Sequence, residues 1–143
     1  MQPELLDPKA ITEEDIADII GLRQELSPNK GPVSPENVLA TAETNLMFVI
    51  RDAETKRIVA MATLLIQQKL EGRYGYVHDV VVANTHRGRG LSRGIMTDLI
   101  VEARSEGLLY LELTSSDERT AAVQLYQSLG FVTQSTNFFR LPL

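Results

Sequence analysis

The sequence predicts an α+β fold: one domain over residues 1–143, with a mixed, mostly antiparallel central sheet of about six to seven strands and helices on both faces. Three observations carry this. Three β-rich segments follow one another through mid-chain, separated only by short turns, as in a meander. The third ends at a glycine-rich turn that opens an amphipathic helix and then a further strand, which is a crossover pattern. A last helical stripe ends at a glycine and leads into two short strand-like segments.

In chain order, Thr12 can cap a helix whose first turn is Glu13-Glu14-Asp15, followed by Ile16, Ile19, Ile20 and Arg23 at helical spacing. Ser27-Pro28-Asn29-Lys30-Gly31-Pro32 breaks it. Ser34-Pro35 starts a second short helix, since proline suits the first helical position. Residues 46–51, 57–67 and 74–82 read as the three meander strands, turned at Asp52-Ala53-Glu54-Thr55-Lys56 and at Glu71-Gly72-Arg73. Leu91, Ile95, Met96, Leu99, Ile100 and Ala103 form one apolar helical stripe, stopped at Glu106-Gly107. Residues 108–114 read as a strand parallel to the Val80 strand. Ala122, Leu125, Tyr126 and Leu129 mark the inner face of another helix, closed by Gly130. Residues 131–134 and 137–141 are expected as two final strands.

Whole-chain quantities narrow the class. Hydrophobic residues are 43% and charged residues 23%, the proportions of a globular protein with a real core. A net charge of −5 argues against general nucleic-acid binding. There is no cysteine, so no disulfide, cysteine-ligated zinc or acyl-cysteine intermediate is available, and no metal site is expected. Met1-Gln2-Pro3-Glu4 lacks the basic and apolar regions of a signal peptide, and no apolar run approaches the ~20 residues of a membrane helix. A soluble cytoplasmic protein is the expectation, monomeric or homodimeric, with neither nucleic acid nor membrane as partner.

Against this acidic background one run stands out: Val80-Val81-Val82, Ala83-Asn84-Thr85-His86, then Arg87-Gly88-Arg89-Gly90-Leu91-Ser92-Arg93-Gly94. A strand ends abruptly, and a basic glycine turn opens a helix. Backbone N–H groups at such a terminus, aided by the macrodipole, suit an anion. Helices usually place Asp or Glu in that turn; three arginines there make sense if a phosphate or pyrophosphate docks.

The run Arg87-Gly88-Arg89-Gly90-Leu91-Ser92 resembles the acetyl-CoA motif of the GCN5-related N-acetyltransferase (GNAT) superfamily, with Ser92 where a small apolar residue is usual. Ala122, Leu125-Tyr126 and Leu129-Gly130-Phe131 resemble the family's second motif, in the expected order and with a strand between. The resemblance covers residues 46–143. His78-Asp79-Val80-Val81-Val82 is also similar to the corresponding strand of glucosamine-6-phosphate N-acetyltransferases, which carry Glu where this chain has His78.

The resemblance implies an N-acetyltransferase that uses acetyl-CoA as acyl donor and transfers the acetyl group directly to a primary amine. It implies that backbone amides of Gly88, Arg89, Gly90, Leu91, Ser92 and Arg93 hold the CoA pyrophosphate, with Arg87 and Arg89 favoured over Arg93 for side-chain contacts. It implies that the pantetheine arm adds along the backbone of Val80 and Val82 like an extra strand. The Val80 amide then becomes an oxyanion donor, and the Tyr126 hydroxyl lies beside the CoA sulfur as proton donor. Tyr126 reads equally as a core aromatic. His78, placed by strict alternation on the face of Val80 and Val82, is a candidate general base or a structural histidine; Glu112 and Asp79 compete for the base role. Asp79, on the opposite face, is expected to anchor a loop or helix, and His86 to be structural.

Two other functions fit parts of the pattern. One is a non-catalytic acyl-CoA-binding sensor. The other is a dinucleotide-binding domain, since Gly88, Gly90 and Gly94 precede Glu112 by about the ~20 residues of that fingerprint. The position of the turn after three antiparallel strands ranks the latter far below. The acceptor, a small-molecule or protein amine, has no recognisable motif. Gln67, Lys69 and Arg73 hint at a polar acceptor and read equally as solvated loop residues.

Overall fold

The computed structural model of the protein describes residues 1–143, which divide into two compact units, Met1–Leu113 and Thr114–Leu143. The first unit holds a five-stranded sheet in the order β1-β2-β3-β4-β5. Its strands are β1 (Pro3–Leu5), β2 (Leu46–Arg51), β3 (Ile58–Lys69), β4 (Gly72–Val82) and β5 (Leu111–Glu112). The first four pair antiparallel in sequence order, as the meander predicts, and β5 runs parallel to β4. The sheet therefore has five strands, not six to seven.

Three differences separate the observed strands from the expected ones. β1, which alternation does not reveal, adds a three-residue edge strand along β2, with Pro3 opposite Ile50; a proline is tolerated on an edge because that N–H would go unused. The strand expected over residues 108–114 shrinks to β5, which meets β4 only at Gly75↔Leu111 and Tyr76↔Glu112. The strands expected at residues 131–134 and 137–141 are absent. Past Ser128 the second unit has no regular element, and Val132, Phe138, Phe139 and Leu141 are exposed. Strand propensity alone cannot hold an extended segment; a partner strand must supply the other half of each ladder, and this unit contains none.

Helices α1 (Glu13–Leu26) and α2 (Pro35–Thr44) start where the sequence says. Thr12 Oγ1 accepts the Asp15 N–H at 3.1 Å and Asp15 Oδ2 accepts the Thr12 N–H at 3.2 Å, a reciprocal capping box. Ser34 caps α2 by accepting the Asn37 N–H, with Pro35 at the first helical position. One face of the sheet, through Met47, Val49, Met61 and Val81, packs with Ile19 and Leu22 of α1 and Val38 and Ala42 of α2. The alternate residues Phe48, Ile50, Ala62 and Leu64 point to the other face, where α3 (Leu91–Ser105) packs. Ile95, Met96 and Leu99 of α3 have no exposed surface. Each such side chain contributes about 1.5–3 kcal/mol of hydrophobic stabilisation. No helix is long and apolar enough to cross a membrane.

In the second unit, α4 (Thr120–Ser128) ends as the sequence predicts. Gly130 takes φ +100° and its N–H donates to the Gln127 carbonyl at 3.1 Å.

Candidate active site

Strand β4 departs from regular alternation. Its register with β3 runs Lys69↔Gly72 to Thr63↔His78, slips, and resumes at Met61↔Val81 and Ala60↔Val82. Asp79 and Val80 therefore stand opposite Ala62 alone, which is a β-bulge, and Asp79 takes φ +52°. The bulge corrects the expected faces. His78, opposite Thr63, shares the α1 side with Val81, opposite Met61; Val82, opposite Ala60, lies on the α3 side. His78 thus does not share a face with Val82, and Asp79 does not project away from His78's helix. Its Oδ1 lies 3.4 Å from Arg23 Nε of α1. The expected anchoring role of Asp79 thus has a physical partner.

The bulge also resets which backbone groups face which edge. The Ala83 N–H donates to Val59 O of β3 at 2.8 Å. By alternation, the Val82 and Val80 N–H groups face the other edge of β4. On that edge β5 pairs only as far as Tyr76. From Val77 onward no strand pairs with that edge, so the Val80 and Val82 amides have no ladder acceptor there. The Val82 carbonyl on the same edge accepts Arg87 Nε–H at 3.3 Å. Arg87 is therefore tied back to the strand, whereas the sequence pointed its side chain at phosphate.

A 3-10 turn, Asn84–His86, carries the chain to the glycine turn. His86 Nε2 lies 2.8 Å from Asp52 Oδ2 and its Nδ1 lies 2.8 Å from Thr85 Oγ1, fixing this loop to the β2–β3 turn. Asp52 also accepts the Glu54 and Thr55 N–H groups. Those bonds and His86 hold its carboxyl far below the ordinary range. His86 is structural, as expected.

Gly88 (φ +77°) and Gly90 (φ +74°) both sit in the left-handed region, where glycine carries no steric cost. A Cβ built on either meets no atom within 4 Å, so the space before them is open. Gly90 is the N-cap of α3 and offers no side chain; the first intrahelical bond is Gly94 N–H to Gly90 O at 3.1 Å. Amides ahead of it have no acceptor within the helix. The first turn contains no acid, Arg89 and Arg93 are exposed, and Leu91 is buried and seats the turn. These residues fit a pyrophosphate: amide donors at a positive helix end, open space for close approach, and cations around it.

His78 is exposed, with its ring 4.6 Å from that of Tyr76. An accessible imidazole offers a ring nitrogen that can accept a proton from an attacking amine. Thr63 opposite it is 2% exposed, and its Oγ1 makes no hydrogen bond. Glu112 is exposed in β5, opposite Tyr76. Gln67, Lys69 and Arg73 are committed locally at the β3–β4 hairpin. Lys69 Nζ donates to Tyr110 OH at 2.6 Å, Gln67 accepts from Tyr74 OH, and Arg73 pairs with Glu106. In the second unit, Tyr126 is buried on α4, edge-on to Phe131 at 5.8 Å. Burial pushes its phenol up, partly offset by the Arg119 charge, so it stays protonated near neutrality.

The first unit thus gathers Val80, Val82, Arg87, Gly88, Arg89, Gly90, Leu91, Ser92 and Arg93 along one open edge and the helix end that follows it, with His78 just before the bulge. Sequence reasoning missed the bulge and the Arg23 contact. The only local signal was an Asp, which tolerates the left-handed region better than most residues.

Comparisons with known proteins point one way. Residues 16–131 match the acetyltransferase (GNAT) family. Glucosamine 6-phosphate N-acetyltransferase 1 of Oryza sativa subsp. japonica is 32% identical over 135 residues, 85% of this chain and 79% of that protein. Glucosamine 6-phosphate N-acetyltransferase of Trypanosoma brucei brucei is 40% identical over 80 residues, about half of each chain (54% and 52%). A crystal structure of a Trypanosoma brucei acetyltransferase superposes with a TM-score of 0.79 at 28% identity, covering 99% of both chains.

Proposed function

The chain belongs to the GNAT acetyltransferase family and is an N-acetyltransferase, and we propose that it moves the acetyl group of acetyl-CoA directly to a primary amine, with Val80, His78 and Tyr126 as its working groups. The observation that carries this reading is the strand edge of β4 left unpaired beyond Tyr76, followed within a few residues by the uncapped N-terminus of α3.

When bound, acetyl-CoA supplies a thioester whose carbonyl carbon is open to an amine. The amides of Gly88 to Arg93, with Arg89, bind the pyrophosphate. Arg87, held on the Val82 carbonyl, braces the strand edge on which the Val82 and Val80 amides receive the acyl arm. The Val80 N–H donates to the carbonyl oxygen as negative charge builds there, which is where a fixed donor lowers a barrier most. His78 takes the amine proton, directly or through water; the role of proton donor to the sulfur falls to the Tyr126 hydroxyl of the second unit on the family motif alone. With no cysteine in the chain, transfer is direct.

The acceptor is a small-molecule or protein amine. The relatives make glucosamine 6-phosphate the first to try, and His78 in place of Glu separates this chain from that enzyme's strand pattern. The test is thiol release from acetyl-CoA over an amine panel of glucosamine 6-phosphate, polyamines, amino acids and peptides. At least one amine should release thiol in stoichiometric step with its acetylation. Tyr126→Phe should lower that turnover by roughly 10- to 100-fold, the range of general acid catalysis, with acetyl-CoA affinity unchanged. Thermal stabilisation by acetyl-CoA without thiol release from any amine would turn the reading to a ligand sensor.

A further inference from the structure

We infer that Arg23 is a positioning residue for acetyl transfer: through Asp79 it holds the β4 bulge that aims the Val80 N–H along the open strand edge. The inference rests on the proposed role of that amide as oxyanion donor.

The bulge is a choice the strand makes at one residue. If β4 continued in register past His78, Asp79 would stand opposite Ala62 and Val80 opposite Met61. The Val80 N–H would then turn toward β3. Two-against-one pairing instead turns it outward, at the cost of a left-handed Asp79. Asp tolerates that region better than most residues, but still at a cost, so a fixed partner helps to hold it there. Apolar burial of Val81 and Val82 fixes the strand beyond the bulge, but it does not fix the angle at which the intervening peptide points. Asp79 is the one side chain at that peptide able to set it, and Arg23 of α1 is its charged partner at 3.4 Å.

α1 is suited to act as a fixed arm. Near its start Asp15 holds Arg51 at 2.8 Å, and Asp18 accepts the Ile58 N–H at 3.0 Å and pairs with Arg57. In its last turns Arg23 grips Asp79, and Glu25 Oε2 accepts the Asn84 N–H at 3.1 Å. The helix therefore clamps both ends of the short run from Val80 to Ala83 that carries the proposed donors. The Arg23 and Asp79 side chains are 20% and 40% exposed. A partly exposed, single-contact ion pair contributes modestly to global stability, so the contact can be removed without unfolding the protein, and its value lies in direction.

The test combines kinetics with amide NMR on the whole chain. Arg23→Gln and Asp79→Asn should each lower kcat by about 10-fold, a fraction of the 10²–10³ lost when such a donor is removed outright. KM for acetyl-CoA and Tm should stay close to wild type, and Arg23→Lys should recover part of the loss. The double variant should be no worse than either single one, about 10-fold rather than about 100-fold, because the two act as one unit. In wild type, acetyl-CoA alone should shift the Val80 amide resonance, and Arg23→Gln should diminish that shift while leaving the shifts of the Gly88 to Ser92 amides intact. Additive losses, or an unchanged Val80 shift with unchanged kcat in Arg23→Gln, would overturn the positioning role alone. No Val80 shift in wild type, with the glycine-turn amides still responding, would overturn the oxyanion reading and the inference with it.

Discussion

Two helix N-termini in the same unit meet the same physical demand in opposite ways. Both α1 and α3 expose first-turn amides that need acceptors. α1 satisfies them from its own sequence: Thr12 and Asp15 bond each other's backbone, and Glu13, Glu14 and Asp15 set negative charge against the positive helix end. α2 follows the same pattern with Ser34, Pro35 and Glu36. α3 starts with a glycine that has no cap to give, places no acid in its first turn, and surrounds it with arginines. Nothing in folding requires that arrangement, and the macrodipole argues against it. The comparison teaches that α1's start is completed from within the chain, whereas α3's start is left without an internal acceptor, as the proposed pyrophosphate site would need.

The comparison breaks most visibly at Asp15. It is 3% exposed, completes the capping box, and holds Arg51 at 2.8 Å. Asp15→Ala removes the reciprocal half of the capping box, the bond from the Thr12 N–H, and leaves the half-buried guanidinium without its main partner; the expected cost is about 3 kcal/mol, read as a fall in Tm or denaturant midpoint. The Arg51 hydrogen bond holds the Asp15 carboxyl below its ordinary 3.8. A depressed carboxyl contributes stability that is full above the unfolded value and is lost as pH falls through the folded one. Wild type should therefore lose stability steadily below about pH 4, and Asp15→Ala should show a shallower acid limb. Equal slopes would mean that Asp15 does not carry the acid sensitivity of this face.

At α3 the matching change should spare the fold and strike the ligand. Asn tolerates the left-handed region of Gly90, and a Cβ there meets no neighbour. Gly90→Asn should keep a near-wild-type Tm in the apo protein. It should lose most of the stabilisation by acetyl-CoA, which for an intact site is about 2.7 kcal/mol at 100-fold excess over Kd. Paired thermal melts with and without acetyl-CoA check both halves. An undiminished shift would remove the pyrophosphate from this turn.

Where sequence reasoning succeeded, the signal was local. Thr12, Ser34-Pro35 and the Leu91 to Ala103 stripe each contain their own start or face, and helices appear there. The glycine turn was legible because its chemistry contradicts helix-start preferences. What failed needed a partner. Pro3-Glu4-Leu5 becomes a strand only because β2 offers an edge. The β4 bulge is invisible in Tyr74 to Val82, which alternates acceptably by itself; only the register with Met61 to Thr63 reveals it. That slip undid the facial assignment of His78 relative to Val82, since one inserted residue reverses parity for everything after it. The apolar residues after Gly130 carry strand propensity without a strand to pair with in their unit.

The smallest and sharpest test gives α3 part of what α1 has. Ser92, half-buried at the second helical position, can be changed to Asp, placing a negative charge at the positive helix end. In the apo protein this should raise stability by about 0.3–1 kcal/mol, the usual worth of such a charge. With acetyl-CoA the sign should reverse, because the new carboxylate competes with the pyrophosphate for the same amides and repels it. Ser92→Asn controls for size and hydrogen bonding without the charge and should do neither. Both effects of Ser92→Asp should shrink as salt rises and the Debye length falls toward ~3 Å at 1 M. If Asp stabilised the apo protein and left the acetyl-CoA shift untouched, the missing acid would be an accident of sequence. If it raised one and lowered the other, α3's incomplete start would be a trade of about that size, stability set aside to keep an anion site open.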